Sequence, residues 1–397
     1  MFIINLLNII FYNNKEFMKK IINIITKKVR KINWFKRNNS EQTNRQEQSS
    51  ENLIEQDLNE LKRKTSLLEQ RLLNKFTYPL NNNSIYYEDI PILFQGENTY
   101  LHTLIYGLNE LKENPDTPKK VIIMLHGYQG SSANFYKIIP YIHSKFICIC
   151  PDIIGMGLSS RVKVEFTSNE QCINFFIESI EAFRKSLEQN YNLKKKFILC
   201  GHSLGGYLAT TYCLNYPQYI ESMFLMSPTG ITDVEKYGGN IMENMSIPLA
   251  LSMKSIYSFW KNKPTIQDYS QTFLIKNIIS YTLRKRYSIS QEENDILGEI
   301  TELTLKYPKD LDTAIYFIFK YPFPTAVVPL EDIIKEKIGD MHFIFCYGEK
   351  DWMDNSGAKR LNSIDNTKYK YFTVYNAGHT FLLDNPGDVA KIIMNEL

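Results

Sequence analysis

FILCGHSLGG, residues 197–206, is the stretch that decides how this chain folds. Phe197-Ile198-Leu199-Cys200 is a short apolar run of the kind found in strands covered on both faces. Gly201-His202-Ser203-Leu204-Gly205 follows at once and fits G-x-S-x-G. The pattern has a steric logic. A strand that reverses into a helix within a few residues leaves its serine strained and exposed, and glycines two positions either side let the two backbones close up. The helix N-terminus also brings backbone N–H groups to where negative charge would develop. Alone the pattern is weak; here an apolar strand precedes it and a helix-compatible segment, 204–215, follows.

Outward from this turn the chain alternates. Segments 85–94 and 99–106 read as two strands joined by the turn Gln95-Gly96-Glu97-Asn98. Further apolar runs lie at 121–125, 146–150, 223–226, 342–346 and 371–375, with helix-like segments at 169–191, 204–215 and 356–364. Strands alternating with helices predict a mainly parallel α/β sheet. Residues 231–335, which hold Trp260 and several Met and Tyr, break the rhythm and read as a helical insertion, a candidate lid over the strand ends.

The 397 residues suffice for one large α/β domain with an insertion, and at 44% hydrophobic they can bury a sizeable core. A net charge of +3 does not suggest an evenly basic surface for nucleic acid. The six cysteines, Cys148, Cys150, Cys172, Cys200, Cys213 and Cys346, form no CxxC or Cys/His cluster with zinc spacing. They read as small buried hydrophobes in a reducing compartment, and no metal or organic cofactor is called for.

Charge is unevenly placed. Up to Arg37 there are nine Lys/Arg and one acid, Glu16. The apolar stretch 1–12 is shorter than the about 20 residues needed to span a bilayer, and it lacks the flanks of a cleaved signal. Over 19–37, Ile21, Ile22, Ile24, Ile25, Val29 and Ile32 share one side of a helix, with Lys19, Lys20, Lys27, Arg30 and Lys31 mostly on the other. Such a basic amphipathic segment reads as a membrane-surface anchor or a mitochondrial targeting segment, against a solvated tail. Residues 51–75 read as a helix joining tail to body. The expected division is 1–38, basic N-terminal segment; 39–84, polar linker and helix; 85–230 with 336–397, the α/β core; and 231–335, the cap.

A reactive serine needs a base. Of six histidines, only His342 and His379 follow Ser203 at a plausible distance, in the serine–acid–histidine order that goes with this kind of turn. His342 opens an apolar strand and reads as structural. His379 follows a strand through Asn376-Ala377-Gly378, where open α/β sheets collect functional groups. The orienting acid is expected after the preceding strand, in Gly348-Glu349-Lys350-Asp351-Trp352-Met353-Asp354. Asp351 is the first choice and Asp354 the competitor. For an oxyanion the expected donors are the N–H groups of Leu204 and of Tyr128 in His126-Gly127-Tyr128-Gln129-Gly130. His126 reads as a packing and hydrogen-bonding residue.

Taken together, MLHGYQGSSANF, PDIIGMGLSSR (151–161), GHSLGGYLATTYCLNYP, and YGEKDWMD followed by AGHTFLLDNP resemble the α/β-hydrolase superfamily, and within it the ABHD4/ABHD5 subfamily, over roughly 85–397. The resemblance implies an α/β-hydrolase fold: a mostly parallel eight-stranded sheet flanked by helices, with a helical lid. It implies a lysophospholipase, N-acyl phospholipid or cardiolipin deacylase, or lysophosphatidic acid acyltransferase. His379 and Asp384 make the H-x-x-x-x-D spacing linked there with acyl transfer; the plainer reading has Asp384 favouring a helix terminus beside Pro386. The ABHD5 branch carries asparagine where this chain has Ser203, so a catalytically dead coactivator is not implied.

The leading expectation is a serine-dependent acyl-ester hydrolase or transacylase acting on glycerophospholipids or lysophospholipids through an acyl-enzyme. It would be an intracellular peripheral membrane protein touching the membrane through the N-terminal helix and lid; mitochondrion, cytoplasm and lipid droplet are the candidate addresses. Two alternatives stand beside it: a soluble carboxylesterase on small esters, and a non-catalytic lipid-surface regulator of a lipase.

Overall fold

The computed structural model describes residues 47–80, 84–237, 288–307, 311–320 and 325–397. The 1–12 and 19–37 segments, Trp260 and the centre of the insertion lie outside the described residues. The elements used below are α1 (Glu47–Phe76), β1 (Ile85–Phe94), β2 (Glu97–Tyr106), β3 (Lys120–Leu125), β4 (Phe146–Pro151), α2 (Asn169–Tyr191), β5 (Phe197–His202), α3 (Leu204–Asn215), β6 (Ile220–Met226), α4 (Gln291–Thr304), β7 (Phe343–Gly348), α5 (Ser356–Ile364), β8 (Tyr369–Val374), α6 (Phe381–Asp384) and α7 (Pro386–Glu396).

One eight-stranded sheet runs in the order β1-β2-β4-β3-β5-β6-β7-β8. Only β2 runs against the rest; from β4 to β8 every pairing is parallel. This is the mostly parallel sheet that the apolar runs predict. β4, β5 and β7 are buried along their whole length, because helices cover both faces. Helix α2 begins where the Ser168 side chain accepts from the Gln171 N–H, and ends where Asn192 turns left-handed. All six cysteines are buried and unpaired.

The first hairpin is tighter than its sequence suggests. Phe94 pairs directly with Glu97, so the turn has two residues, not four. Gln95 and Gly96 both take positive φ, 51° and 81°. That geometry matches the right-handed twist of the flanking strands and lets β2 begin at once.

Between β6 and β7 the described part of the insertion is mainly helical. It holds α4, a 3₁₀ turn at Asp312–Ala314, a short helix at Ile315–Ile318 and a two-residue pairing of Phe319–Lys320 with Thr325–Ala326. Helix α4 opens on a reciprocal capping box between Ser290 and Glu293.

Helix α1 is docked on the sheet by charge as well as by Leu72 and Leu73. His102 on β2 is sandwiched between carboxylates: Nδ1 lies 2.6 Å from Asp89 Oδ1 and Nε2 lies 3.2 Å from Glu69 Oε2. Lys62 of α1 meets the other Asp89 oxygen at 2.6 Å, and Tyr87 stacks on the imidazole at 5.0 Å. Burial opposes charge on His102, but Glu69 and Asp89 outweigh it and hold its pKa well above the ordinary imidazole value. At its far end α1 holds α4, where Arg71 and Lys75 both reach Glu292.

His102→Gln leaves the buried Glu69 without its cation and Asp89 with Lys62 alone, and is expected to cost about 3 kcal/mol in urea unfolding. The folded pKa of His102 is raised, so its contribution is complete below the unfolded value of about 6.5 and is lost as pH rises through the folded value. The gap between wild type and H102Q should therefore narrow as the buffer is made alkaline. A gap independent of pH contradicts the clamp.

Candidate active site

The site is built where the strands of the parallel sheet end. Ser203 leaves β5 and enters α3 with φ 55° and ψ −116°, a backbone region that side-chain-bearing residues rarely occupy. Its N–H is held by the Met226 carbonyl at 2.9 Å, and the helical ladder starts at its own carbonyl, which accepts from Gly206 N–H at 3.0 Å. The flanking glycines are required by contact. A Cβ on Gly201 would lie 2.3 Å from the Gly205 carbonyl oxygen, and one on Gly205 would lie 2.3 Å from that of Leu125. Strand β5, helix α3 and the end of β3 therefore close on one another, and Ser203 is presented on the resulting ridge.

His379 and Asp351 meet here. The two strands before them, β8 and β7, are adjacent, and the His379 Nδ1–H donates to Asp351 Oδ1 at 2.9 Å. Burial alone would raise the Asp351 carboxyl. The His379 and Ser227 hydrogen bonds and the Met353 N–H at 3.0 Å outweigh that and hold it below the ordinary carboxylate range. His202, the neighbour of Ser203, donates from Nε2 to the His379 carbonyl at 2.8 Å, and the two rings lie 4.8 Å apart. The Trp352 indole lies 4.8 Å from the same imidazole. Among the described residues, His379 Nε2 is buried and accepts no hydrogen bond. With Nδ1 committed as a donor to a carboxylate, a neutral His379 keeps its free lone pair on Nε2. Asp354 does not reach the ring; its carboxylate accepts from the Ser356 N–H at 2.9 Å, at the start of α5.

The loop after β3 packs on the serine turn: a Cβ on Gly127 would sit 3.1 Å from Ser203 Cβ. Gly130 N–H returns to the Gly127 carbonyl at 2.9 Å, making a tight turn through Tyr128 and Gln129. Leu204 is the first residue of α3, so its N–H precedes the intrahelical ladder. The Tyr128 and Leu204 amides thus belong to the two segments that meet at Ser203. His126 is fully buried; its Nδ1–H donates to the Gly127 carbonyl, and Nε2 accepts from the Ile153 N–H at 2.9 Å. It holds the loop to the 151–161 segment and leaves no nitrogen for chemistry.

The helix start at Asn385-Pro386 lies where the sequence puts it, with Asp384 immediately before it. The α7 cap is Asn385, whose side chain accepts from the Asp388 N–H. Asp384 ends the short α6 and turns back: Oδ2 accepts from Gly378 N–H at 3.3 Å, beside His379, and Oδ1 accepts from Ser288 N–H at 3.0 Å. It braces the histidine loop against the returning insertion. In the 151–161 segment Asp152 is an organiser, binding Ser132 N–H, Ser132 Oγ and Leu158 N–H. Sequence reasoning passed over Ser227, His202 and Trp352. Trp352 sat inside the quoted acid loop, and Ser227 directly follows the end of β6, so position after a strand was the available signal for both.

A serine at a strained strand-to-helix turn, with a carboxylate-bound imidazole packed against the residue before it, is an arrangement that suits nucleophilic attack on an acyl carbonyl. The chain matches the alpha/beta hydrolase fold family over residues 120–253. It is 24% identical over 308 residues to a probable 1-acylglycerol-3-phosphate O-acyltransferase of Oryza sativa, covering 73% of this chain and 68% of that one. It is 29% identical over 303 residues to the 1-acylglycerol-3-phosphate O-acyltransferase ABHD5 of Rattus norvegicus, covering 76% and 81%. Among solved structures, carboxylesterase CesB (YbfK) from Bacillus subtilis superposes with a TM-score of 0.54 at 16% identity, over 85% of this chain and 98% of that one, a likeness of fold alone. The chain has an α/β-hydrolase fold and is similar in sequence to ABHD5-type 1-acylglycerol-3-phosphate O-acyltransferases.

Proposed function

We propose that this protein is a serine-dependent acyl-ester hydrolase or transacylase acting on glycerophospholipids or lysophospholipids at a membrane surface. One observation carries the reading: His379 is tied through Nδ1 to Asp351 and leaves Nε2 buried and unpartnered beside the Ser203 turn. The names of the acyltransferase relatives support lipid acyl transfer as the chemistry.

In this mechanism Ser203 Oγ attacks the acyl carbonyl carbon while His379 Nε2 takes the hydroxyl proton. Asp351 holds the imidazole in the required tautomer and stabilises the imidazolium that forms. Leu204 and Tyr128 N–H groups stabilise the oxyanion. The tetrahedral intermediate collapses, the alcohol of the lipid leaves with the proton from His379, and the acyl group stays on Ser203. Water, or the hydroxyl of a lysophospholipid, then gives its proton to His379 and attacks the acyl-enzyme, releasing fatty acid or a new diacyl lipid. Membrane contact is assigned to the basic N-terminal segment and the insertion.

Ser203→Ala is expected to abolish turnover on lysophospholipid vesicles and labelling by a fluorophosphonate. Asp351→Asn should lower kcat by about 10⁴-fold, as loss of the orienting carboxylate does in such triads, whereas Asp354→Asn should stay within about twofold, in line with an exposed residue outside the site. Equal effects at 351 and 354 would contradict the assignment. Faster turnover of short soluble esters than of vesicle lipids would point to a small-ester esterase; an unlabelled but lipid-binding protein would point to a regulator.

Asp384 touches the histidine loop and not the imidazole. Asp384→Ala is therefore expected to lower hydrolysis and transfer to lysophosphatidic acid by the same factor, about tenfold, through misplacement of His379. Loss of transfer with hydrolysis intact would mean that Asp384 handles the acceptor itself.

A further inference from the structure

Two hydrogen bonds from the loop after β3 end on a single residue of the insertion. Gln129 Nε2 donates to Asp312 Oδ1 at 2.8 Å, and the Tyr128 hydroxyl donates to the Asp312 carbonyl at 3.3 Å. We propose that Asp312 is a positioning residue for the oxyanion loop, fixing the Tyr128 amide from the insertion without touching the reacting groups. The proposal rests on the serine mechanism above and names the part of the insertion that governs its rate.

The loop needs such a hold. Gln129 sits at φ 58°, a left-handed conformation that costs a non-glycine residue about 1 kcal/mol. Tyr128 precedes it in a turn closed only four residues from end to end, by Gly130 N–H on the Gly127 carbonyl. A turn of this size can rotate its peptide units at little cost, and an N–H that rotates away from Ser203 no longer meets an oxyanion. Asp312 accepts separately from the two central residues, from the side-chain amide of Gln129 and the hydroxyl of Tyr128, and so holds the turn at the strained position and at the residue before it. Burial pushes the Tyr128 hydroxyl well above the ordinary phenol range, and the nearby Asp312 adds to that, so it remains a donor.

The other end of the grip is rigid. Asp312 is itself buried. Leu311 before it covers Gly155 so closely that a Cβ there would lie 2.1 Å from Leu311 Cδ1. Following the turn, the Ala314 carbonyl accepts from Cys172 Sγ, and the Phe317 carbonyl accepts from Asn169 Nδ2 at 2.8 Å, both at the start of α2. This limb of the insertion is therefore tied both to the start of α2 and to the loop after β3. The side chains 183 residues apart in sequence act as one unit.

The test uses the full chain with Asp312→Ala, Asp312→Asn and Gln129→Met, plus the Asp312→Ala/Gln129→Met pair. Three quantities are read: kcat and KM on a soluble short-chain ester, the rate of fluorophosphonate labelling of Ser203, and amide hydrogen exchange in a peptide covering 126–131. Asp312→Ala should lower kcat and the labelling rate together, by about tenfold to a hundredfold, less than or equal to the loss of one oxyanion donor, with KM unchanged and exchange in 126–131 accelerated. Asp312→Asn keeps an oxygen for Gln129 and should recover most of the rate. Adding Gln129→Met to Asp312→Ala should cost little more, because both changes break the same contact. Unchanged kcat and labelling in Asp312→Ala, or losses at 312 and 129 that multiply, would overturn the proposal. If Asp312→Ala does not fold, Gln129→Met, on a half-exposed residue, carries the same readouts. Should wild-type Ser203 prove unreactive, the serine mechanism falls, while unchanged exchange in 126–131 on breaking the contact overturns the grip independently.

Discussion

The reversal of β5 into α3 at Ser203 is the constraint on which the site depends. The chain turns so sharply there that two glycines must lie against foreign carbonyls, 2.3 Å from where a Cβ would stand. That contact fixes the end of β3 against the start of α3. It also fixes His202, whose Nε2–H donates to the His379 carbonyl and whose ring lies against the His379 imidazole. A strained serine is tolerable because the sheet over-determines it: its N–H is paired with β6 and its carbonyl with the helix.

Around this ridge the groups of the proposed site arrive from four strand ends, β3, β5, β7 and β8, with Ser227 after β6 bonded to Asp351. Each loop supplies one element of charge handling, and the parallel sheet brings them together because all these strands finish on one edge. The carboxylate of Asp351 stays ionised despite its burial because it accepts from His379, Ser227 and the Met353 amide. An isolated buried carboxylate would be driven toward neutrality. The two aspartates Asp312 and Asp384 tie the insertion to opposite halves of this machinery, one to the loop at Tyr128 and one to the loop at His379. The insertion is thus joined by hydrogen bonds to both loops that flank the Ser203 turn.

Much of this was legible in the sequence, because the signals were local. The apolar runs and caps define the strands and helices, and the G-x-S-x-G spacing is the direct imprint of the steric demand at Gly201 and Gly205. The first hairpin was read too loosely because Gln95, not glycine, takes the first left-handed position of a two-residue turn. The choice between Asp351 and Asp354 needed three dimensions: both follow β7, and only the side-chain direction separates the one bonded to His379 from the one bonded to the Ser356 N–H. Asp384 does stand beside the helix start at Asn385-Pro386, but its bonds to Gly378 and Ser288 left no local signal, because Ser288 is far away in sequence. Asp312 carried no signal at all. Its partners lie far away in sequence, and its surroundings have no periodicity that marks a site.

The central claim is that Ser203 carries the acyl group between donor and acceptor. The most direct measurement is rapid quench of the protein with a long-chain glycerophospholipid in vesicles, followed by mass spectrometry of the peptide containing residues 201–206. A fatty-acyl adduct on Ser203 that forms and decays at the rate of turnover is the predicted result. Turnover that proceeds with no adduct on Ser203, or with the acyl group on another residue, would contradict the account.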